Sequence, residues 1–293
     1  MPLRPDSIGS SGEPYVHEID ARWIMSYATG IGDTLPCYLD TLRPGGVSAH
    51  PLFPVCVEWP VIVAMRKHPV NASLTQEEYV RAVHATHDTV IHRPIRPGDT
   101  LTTQATIVGL EQRKPGAYQT MRLDTTDANG ALVSSTWQGA VYRGVEVDGP
   151  DRPAQDLPVA IPPPNNNGSV RAEVPVPIAT EAAHVYTECA RIWNPVHTDA
   201  AVAAAAGLPA IILHGTATLA LGVSRVIALE ADNQPERVKR IACRFGAMVL
   251  MPSEVTVRIL SREAMPEGDA IHFEVRTEDG GPAVRDGLVV LHP

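Results

Sequence analysis

The sequence predicts an α+β protein made of two consecutive repeats, each with a long central helix wrapped by an antiparallel sheet, and three observations predict it. Residues 149–169, GPDRPAQDLPVAIPPPNNNGS, crowd proline, asparagine and glycine into one stretch that no regular element tolerates, which marks a linker. The stretches on either side repeat one another in the order of their elements. Within each, one long apolar segment is followed by runs that alternate polar and apolar residues with the period of a strand. The expected organisation is a first repeat over 1–147, a Pro/Asn-rich linker over 148–170 and a second repeat over 171–293.

Taken in order, residues 22–40, RWIMSYATGIGDTLPCYLD, read as a helical opening that ends in a proline-bearing turn. Residues 183–199, AHVYTECARIWNPVHTD, read the same way, and Pro36 and Asp40 match Pro195 and Asp199 in spacing. A histidine then stands at the mouth of each apolar helix: His50 before 51–65 and His214 before 215–229. Strand-like runs follow at 82–95, 100–110, 119–127 and 132–145, and again at 238–249, 254–260, 270–277 and 283–291. A long apolar helix is covered on most sides only if a strongly bent sheet wraps it. Periodicity alone leaves a sandwich with the helix on one face as the alternative. Between turn and helix in the second repeat, the alanine-rich stretch 200–206 is a short helix for which Asp199 is the natural N-cap.

Composition bounds the function. A chain of 293 residues with 44% hydrophobic and 19% charged residues builds a real core, as one large or two fused domains. The formal net charge of −9 gives no footprint for nucleic acid or an anionic membrane, both of which need clustered Lys and Arg. Cys37, Cys56, Cys189 and Cys243 include no C-x-x-C pair, so a zinc ribbon or disulfide framework is not expected and a cytoplasmic setting is. No signal peptide and no run of ~18 apolar residues is present, which predicts a soluble protein. No His/Cys/Asp/Glu spacing fits a metal, no nucleotide loop is present, and no cofactor is expected.

The chemistry-bearing residues are Trp193-Asn194-Pro195-Val196-His197-Thr198-Asp199, followed by Ala206-Gly207-Leu208-Pro209 and Ile211-Ile212-Leu213-His214-Gly215. This series, in this order, resembles the signature of MaoC-like dehydratases and R-specific enoyl-CoA hydratases (hydratase 2). The run IHRPIRPGDT at 91–100 resembles the N-terminal repeat of the two-repeat members, so the resemblance covers nearly the whole chain. It implies a double hot-dog fold and reversible addition of water across the double bond of a 2-enoyl thioester, on CoA or an acyl carrier protein. In the family, a His and an Asp five residues apart hold the water and share the acid-base work. His197 matches that His. Gly215 matches the residue whose backbone N–H, at the start of the central helix, polarises the thioester carbonyl. Asn194 is read as holding the turn through its side chain. The first repeat shapes the acyl tunnel.

One departure stands inside the motif: the family's Asp is Ile192 here. Loss of one member of a catalytic unit commonly costs orders of magnitude in rate. Glu188, one helical turn earlier, is a possible substitute acid. Asp33 holds the corresponding place in the first repeat, where Leu35 and Tyr38 replace Asn and His. Ile192, Trp193, His214 and Arg191 are candidate substrate-binding residues, with Arg191 within reach of a CoA phosphate; His214 equally suits capping or packing the helix start. Beside the hydro-lyase stand two further readings: another proton transfer, isomerisation or cyclisation on the same thioester, and a non-catalytic acyl-CoA binding subunit. A homodimer is compatible with all three.

Overall fold

The first half opens with an edge strand, β1 (Tyr15–Glu18), and a helix, α1 (Ala21–Gly30), whose start is fixed by Asp20 accepting the Trp23 N–H at 2.7 Å. The computed structural model describes residues 2–72, 74–162, 164, 169–266 and 268–292, so residues 163 and 165–168 of the expected linker lie outside the described residues. After a short α2 (Pro36–Leu39), the long apolar helix is α3 (Pro54–Arg66). It begins later than the sequence predicts, because Pro54 takes the first helical position, where a missing N–H costs nothing. A short α4 (Gln76–Val80) precedes β2 (Ala82–Ile91), β3 (Thr100–Arg113), β4 (Gly116–Thr126) and β5 (Leu132–Arg143).

The second half repeats this plan with β6 (Ala172–Ile178), α5 (Ala182–Ala190), α6 (Ala200–Ala205), α7 (Gly215–Glu230), β7 (Val238–Phe245), β8 (Ser253–Met265), β9 (Gly268–Thr277) and β10 (Pro282–Leu291). The strands form one antiparallel sheet in the order β1-β3-β4-β5-β2-β7-β10-β9-β8-β6, each half mirroring the other. α3 packs on β1, β3 and β4, and α7 on β7 through β10, so each sheet half wraps its own helix. The sandwich alternative is thereby set aside.

The sequence reading missed both edge strands, β1 and β6, and stopped β8 short. β6 contains Pro175 and Pro177 and pairs only with β8, an edge position in which proline forfeits no ladder bond. β8 carries a register shift between Ile259 and Ser261, which flips the side-chain alternation at the point where the predicted strand ends.

The halves meet where β2 and β7 pair, from Thr86 opposite Arg244 to Val90 opposite Arg240. Arg240 grips Asp88 across this seam with two bonds of 2.8 and 2.7 Å, and a third reaches the Val159 carbonyl. The linker is strapped to the outer face: Arg152 exchanges backbone bonds with Leu110, Asp156 accepts from Trp137 and Arg122, and Ile161 packs on Ala270, Leu288 and Val290. α1 and α5 lie side by side, with Gly30 so close to Cys189 that a Cβ there would stand 2.7 Å from the cysteine Cβ.

Replacing Asp88 with alanine strands the Arg240 guanidinium in a mostly buried seam. The expected loss is about 2 kcal/mol, between an ordinary hydrogen bond to a charged group and a broken fully buried pair. Urea denaturation of Asp88→Ala against the parent reads it, and an unchanged midpoint would remove the seam pair from the list of stabilising contacts.

Candidate active site

α5 ends because Arg191 adopts the left-handed conformation, φ 58° and ψ 36°, which swings the chain into Ile192-Trp193-Asn194. A 3-10 turn over Pro195–His197 follows, with proline at its first position, and Asp199 then caps α6 by accepting the N–H groups of Ala201 and Val202. This sequence of stops and starts lays His197 against the strand-like residues that lead into α7.

His197 Nδ1 is 2.8 Å from the Ile212 carbonyl oxygen. A carbonyl only accepts, so the neutral ring carries its proton on Nδ1, and Nε2 is left as a lone pair. The ring stacks on His214, with centroids 3.7 Å apart and planes 25° from parallel. His214 is buried, makes no capping bond, sets Nε2 3.2 Å from Thr187 Oγ1 on α5, and has no partner for Nδ1 among the described residues. It therefore packs the helix start. Burial depresses His197 to about 4; burial, then the neighbouring His197, puts His214 well below the usual histidine value. Two stacked imidazoles in an apolar setting stay neutral, and a neutral His197 is an available base.

Gly215 opens α7, where the first backbone N–H groups have no intrahelical partner. The Phe245 ring lies against it, and a Cβ on Gly215 would stand 3.1 Å from that ring. Tyr186 donates to Thr216 Oγ1 at 3.0 Å and lies 4.9 Å from His214, tying α5 to the first turn of α7.

The other expected residues fall differently. Ile192 is buried in the main core and brings no polar group. Glu188 is exposed and accepts the Trp193 indole N–H at 3.4 Å, a contact that holds its carboxylate on the outer side of the turn. Trp193 is 58% exposed and so packs no core. Arg191 is exposed, and its guanidinium lies 4.0 Å over the Trp23 ring. Asn194 closes the turn with its backbone, accepting from the His197 N–H and donating to the Ile192 carbonyl, with no capping bond from its side chain. The sequence reading missed Tyr186, whose partner signal was present: Tyr27 precedes Asp33 by the same spacing with which Tyr186 precedes Ile192.

The first repeat's counterpart has become a joint. His50 accepts the Leu52 N–H on Nδ1, so Nε2 carries the proton toward Ser224 Oγ on α7, and complete burial pushes its pKa to about 3. Tyr38 lies 5.6 Å from it, ring to ring, where His197 lies in the second repeat. Among the described residues no group of three His, Cys, Asp or Glu side chains could hold a metal ion, and no helix is long and apolar enough to cross a membrane.

Comparison with known proteins agrees with this geometry. Residues 164–280 match the MaoC like domain, and residues 6–136 match the FAS1-like, dehydratase domain region. Each half of the chain thus matches a dehydratase-type model of its own. Mouse peroxisomal multifunctional enzyme type 2 is 26% identical over 89% of this chain, which spans about a third of that relative's length (34%). Mycobacterium tuberculosis 3-hydroxyacyl-thioester dehydratase Y is 25% identical over 99% of this chain and 98% of its own. A MaoC-like dehydratase from Phytophthora capsici superposes with a TM-score of 0.81 at 21% identity, covering 98% of both chains. A further M. tuberculosis structure, described as a double hotdog fold, superposes at 0.63 and 17% identity over 97% of this chain and 96% of that one. The wrapped pair of helices is thus a double hot-dog.

The chain should lose stability in mild acid. His50, His84, His87, His197 and His214 all have depressed values in the folded state, so below about 6.5 the unfolded chain binds protons that the folded chain refuses. Each histidine as deeply buried as His50 costs about 2 kcal/mol by pH 5. Glu58, pushed up to about 7 by burial, has the opposite sign between pH 7 and 4.5 and offsets about one of them. Denaturation at pH 7, 6 and 5 should show a falling midpoint, and a midpoint that rises toward pH 5 contradicts the burial of these rings.

Proposed function

We propose that this chain is a hydro-lyase that adds water to, or removes it from, an acyl thioester of the 2-enoyl or 3-hydroxyacyl type, carried on CoA or an acyl carrier protein. The observation that carries the reading is the lone pair on His197 Nε2, fixed by the Nδ1–H bond to Ile212 beside the helix start at Gly215. In the hydration direction, His197 Nε2 takes the proton of a water that adds to the β-carbon. The Gly215 N–H, at the positive end of α7, stabilises negative charge on the thioester oxygen. With isoleucine at 192 no carboxylate shares the work, so the imidazolium returns the same proton to the α-carbon. A histidine at about 4 is a weak base and its conjugate acid a strong one, which makes the proton return easy and the water activation slow.

Ile192, Trp193 and His214 border the thioester in this reading, and Arg191 meets a CoA phosphate only on leaving Trp23. Glu188 is left out of the chemistry because Trp193 engages it on the outside. The four free thiols support a cytoplasmic setting. A homodimer would have to use a face other than the β2–β7 seam, which already joins the halves within one chain, and native mass spectrometry reads this.

Ile192 also favours a second reading, in which base and oxyanion donor serve an isomerisation or cyclisation that needs no held water. Loss of enoyl-thioester absorbance with crotonyl-CoA and a medium-chain 2-enoyl-CoA separates the two. Slow hydration by the parent should fall about 100-fold or more in His197→Ala and rise in Ile192→Asp. Parent-like rates in His197→Ala refute the hydro-lyase proposal, and a parent that is inert while Ile192→Asp turns over favours the second reading.

A further inference from the structure

The two sheet halves differ in what they turn toward their helices. Gly116 and Gly268, both at positive φ, open β4 and β9 in the same way, which puts Gln119 where the second half has Ile271. Around α7 the inner face is apolar, with Val257, Ile259, Ile271, Phe273 and Val275 all buried. Around α3 it carries His87, Thr89, Gln119, Ser134 and Thr136, equally buried, and α3 itself contributes Glu58. Burying such groups is costly unless each is hydrogen-bonded.

Four of these side chains form one chain of bonds. Thr136 Oγ1 donates to Glu58 at 2.5 Å, so it accepts from Thr89 at 2.8 Å, and Thr89 accepts from His87 Nε2 at 2.7 Å. His87 Nδ1 is thereby a bare acceptor, and it has no partner among the described residues. Gln138 lies opposite His87 in the β2–β5 register, and its Oε1 is buried without a partner. Gln119 accepts from Tyr142 on Oε1, and its Nε2 is buried without one. Two acceptors and one donor thus lie on the inner face beside α3, on the neighbouring strands β2, β5 and β4, with the Ser134 hydroxyl also unpartnered on that face.

This cluster adjoins the reaction centre through two rings. Phe245 lies against Gly215, His84 meets Phe245 edge-on at 4.7 Å, and His84 lies 5.5 Å from His87. His84 itself is satisfied by the Thr86 carbonyl at 3.0 Å.

We propose that the acyl group of the substrate bears a hydroxyl remote from the thioester, and that His87, Gln138 and Gln119 receive it in the first half of the fold. The proposal rests on the reading that an acyl thioester reacts at His197, and it adds the substrate class. A hydroxyl suits the three free atoms: its proton goes to His87 Nδ1 or Gln138 Oε1, and its oxygen accepts from Gln119 Nε2. Glu58 is buried, so little solvent reaches this end of the network, and that burial pushes its carboxyl up to about 7.

The test uses the full chain and a matched set of acyl-CoA probes: oct-2-enoyl-CoA and the same chain with one hydroxyl moved along its far carbons. Sites built to bond a hydroxyl discriminate strongly against chains that lack it, so at least one hydroxylated probe should exceed the plain one by about tenfold or more in kcat/KM. Gln138→Met, similar in volume, should bring that ratio close to one. Calorimetry with the saturated plain and hydroxylated acyl-CoAs separates this proposal from the hydration reading. If neither enoyl probe is turned over but a hydroxylated chain binds about tenfold tighter, hydration falls and the polar site stands. If the plain chain reacts and binds as well as every hydroxylated one, the three atoms are satisfied by water alone and the proposal is overturned. The comparison within the parent protein decides the matter even if Gln138→Met does not fold.

Discussion

Two apolar helices that must each be wrapped by a sheet impose the constraint on which the rest of this molecule depends: the two sheet halves have to share an edge. That edge is the β2–β7 seam, five residue pairs from Thr86–Arg244 to Val90–Arg240, reinforced by the Asp88–Arg240 grip. Joining there brings the end of β7 next to the start of α7, so Phe245 rests on Gly215, and it brings β2 of the opposite half within one ring of the same place. The candidate site is therefore assembled from both halves, although its motif lies in one.

The local electrostatics follow from that packing. The seam, α5 and the His197 turn bury the stacked imidazoles so that neither takes a proton at ordinary pH, and the Ile212 carbonyl selects the tautomer. Burial outweighs the one bond, to the Ile212 carbonyl, that raises the basicity of His197. A weak, well-oriented base beside a helix N-terminus is the chemical character of this site.

Much of this was legible in the sequence, and the exceptions have definite causes. The repeats, both long helices, the eight inner strands and the His197-to-Gly215 series depend on local spacing, and local spacing is what a sequence displays. Asp199 as a cap is of the same kind. The resting places of Arg191 on Trp23 and of Phe245 on Gly215 join residues from separate elements, and no local pattern encodes them. Asn194 misled because its backbone closes the turn that its side chain was expected to close. The polar inner face around α3 was hidden for another reason. A period-two pattern assigns histidine, threonine and glutamine to the solvent side, and at 87, 89, 119 and 136 they point toward the helix.

His50 has a consequence for the molecule as a working unit. A pair of identical single repeats would carry two equivalent turns, each a copy of the other. In the fused chain His50 ties α7 in place through Ser224, fully enclosed and uncharged, and beside it Tyr38 stands where the second repeat has His197 with its free lone pair. On the proposed reading, redundancy has given way to division of labour: Tyr38 is no second copy of His197, and each molecule presents a single vulnerable point.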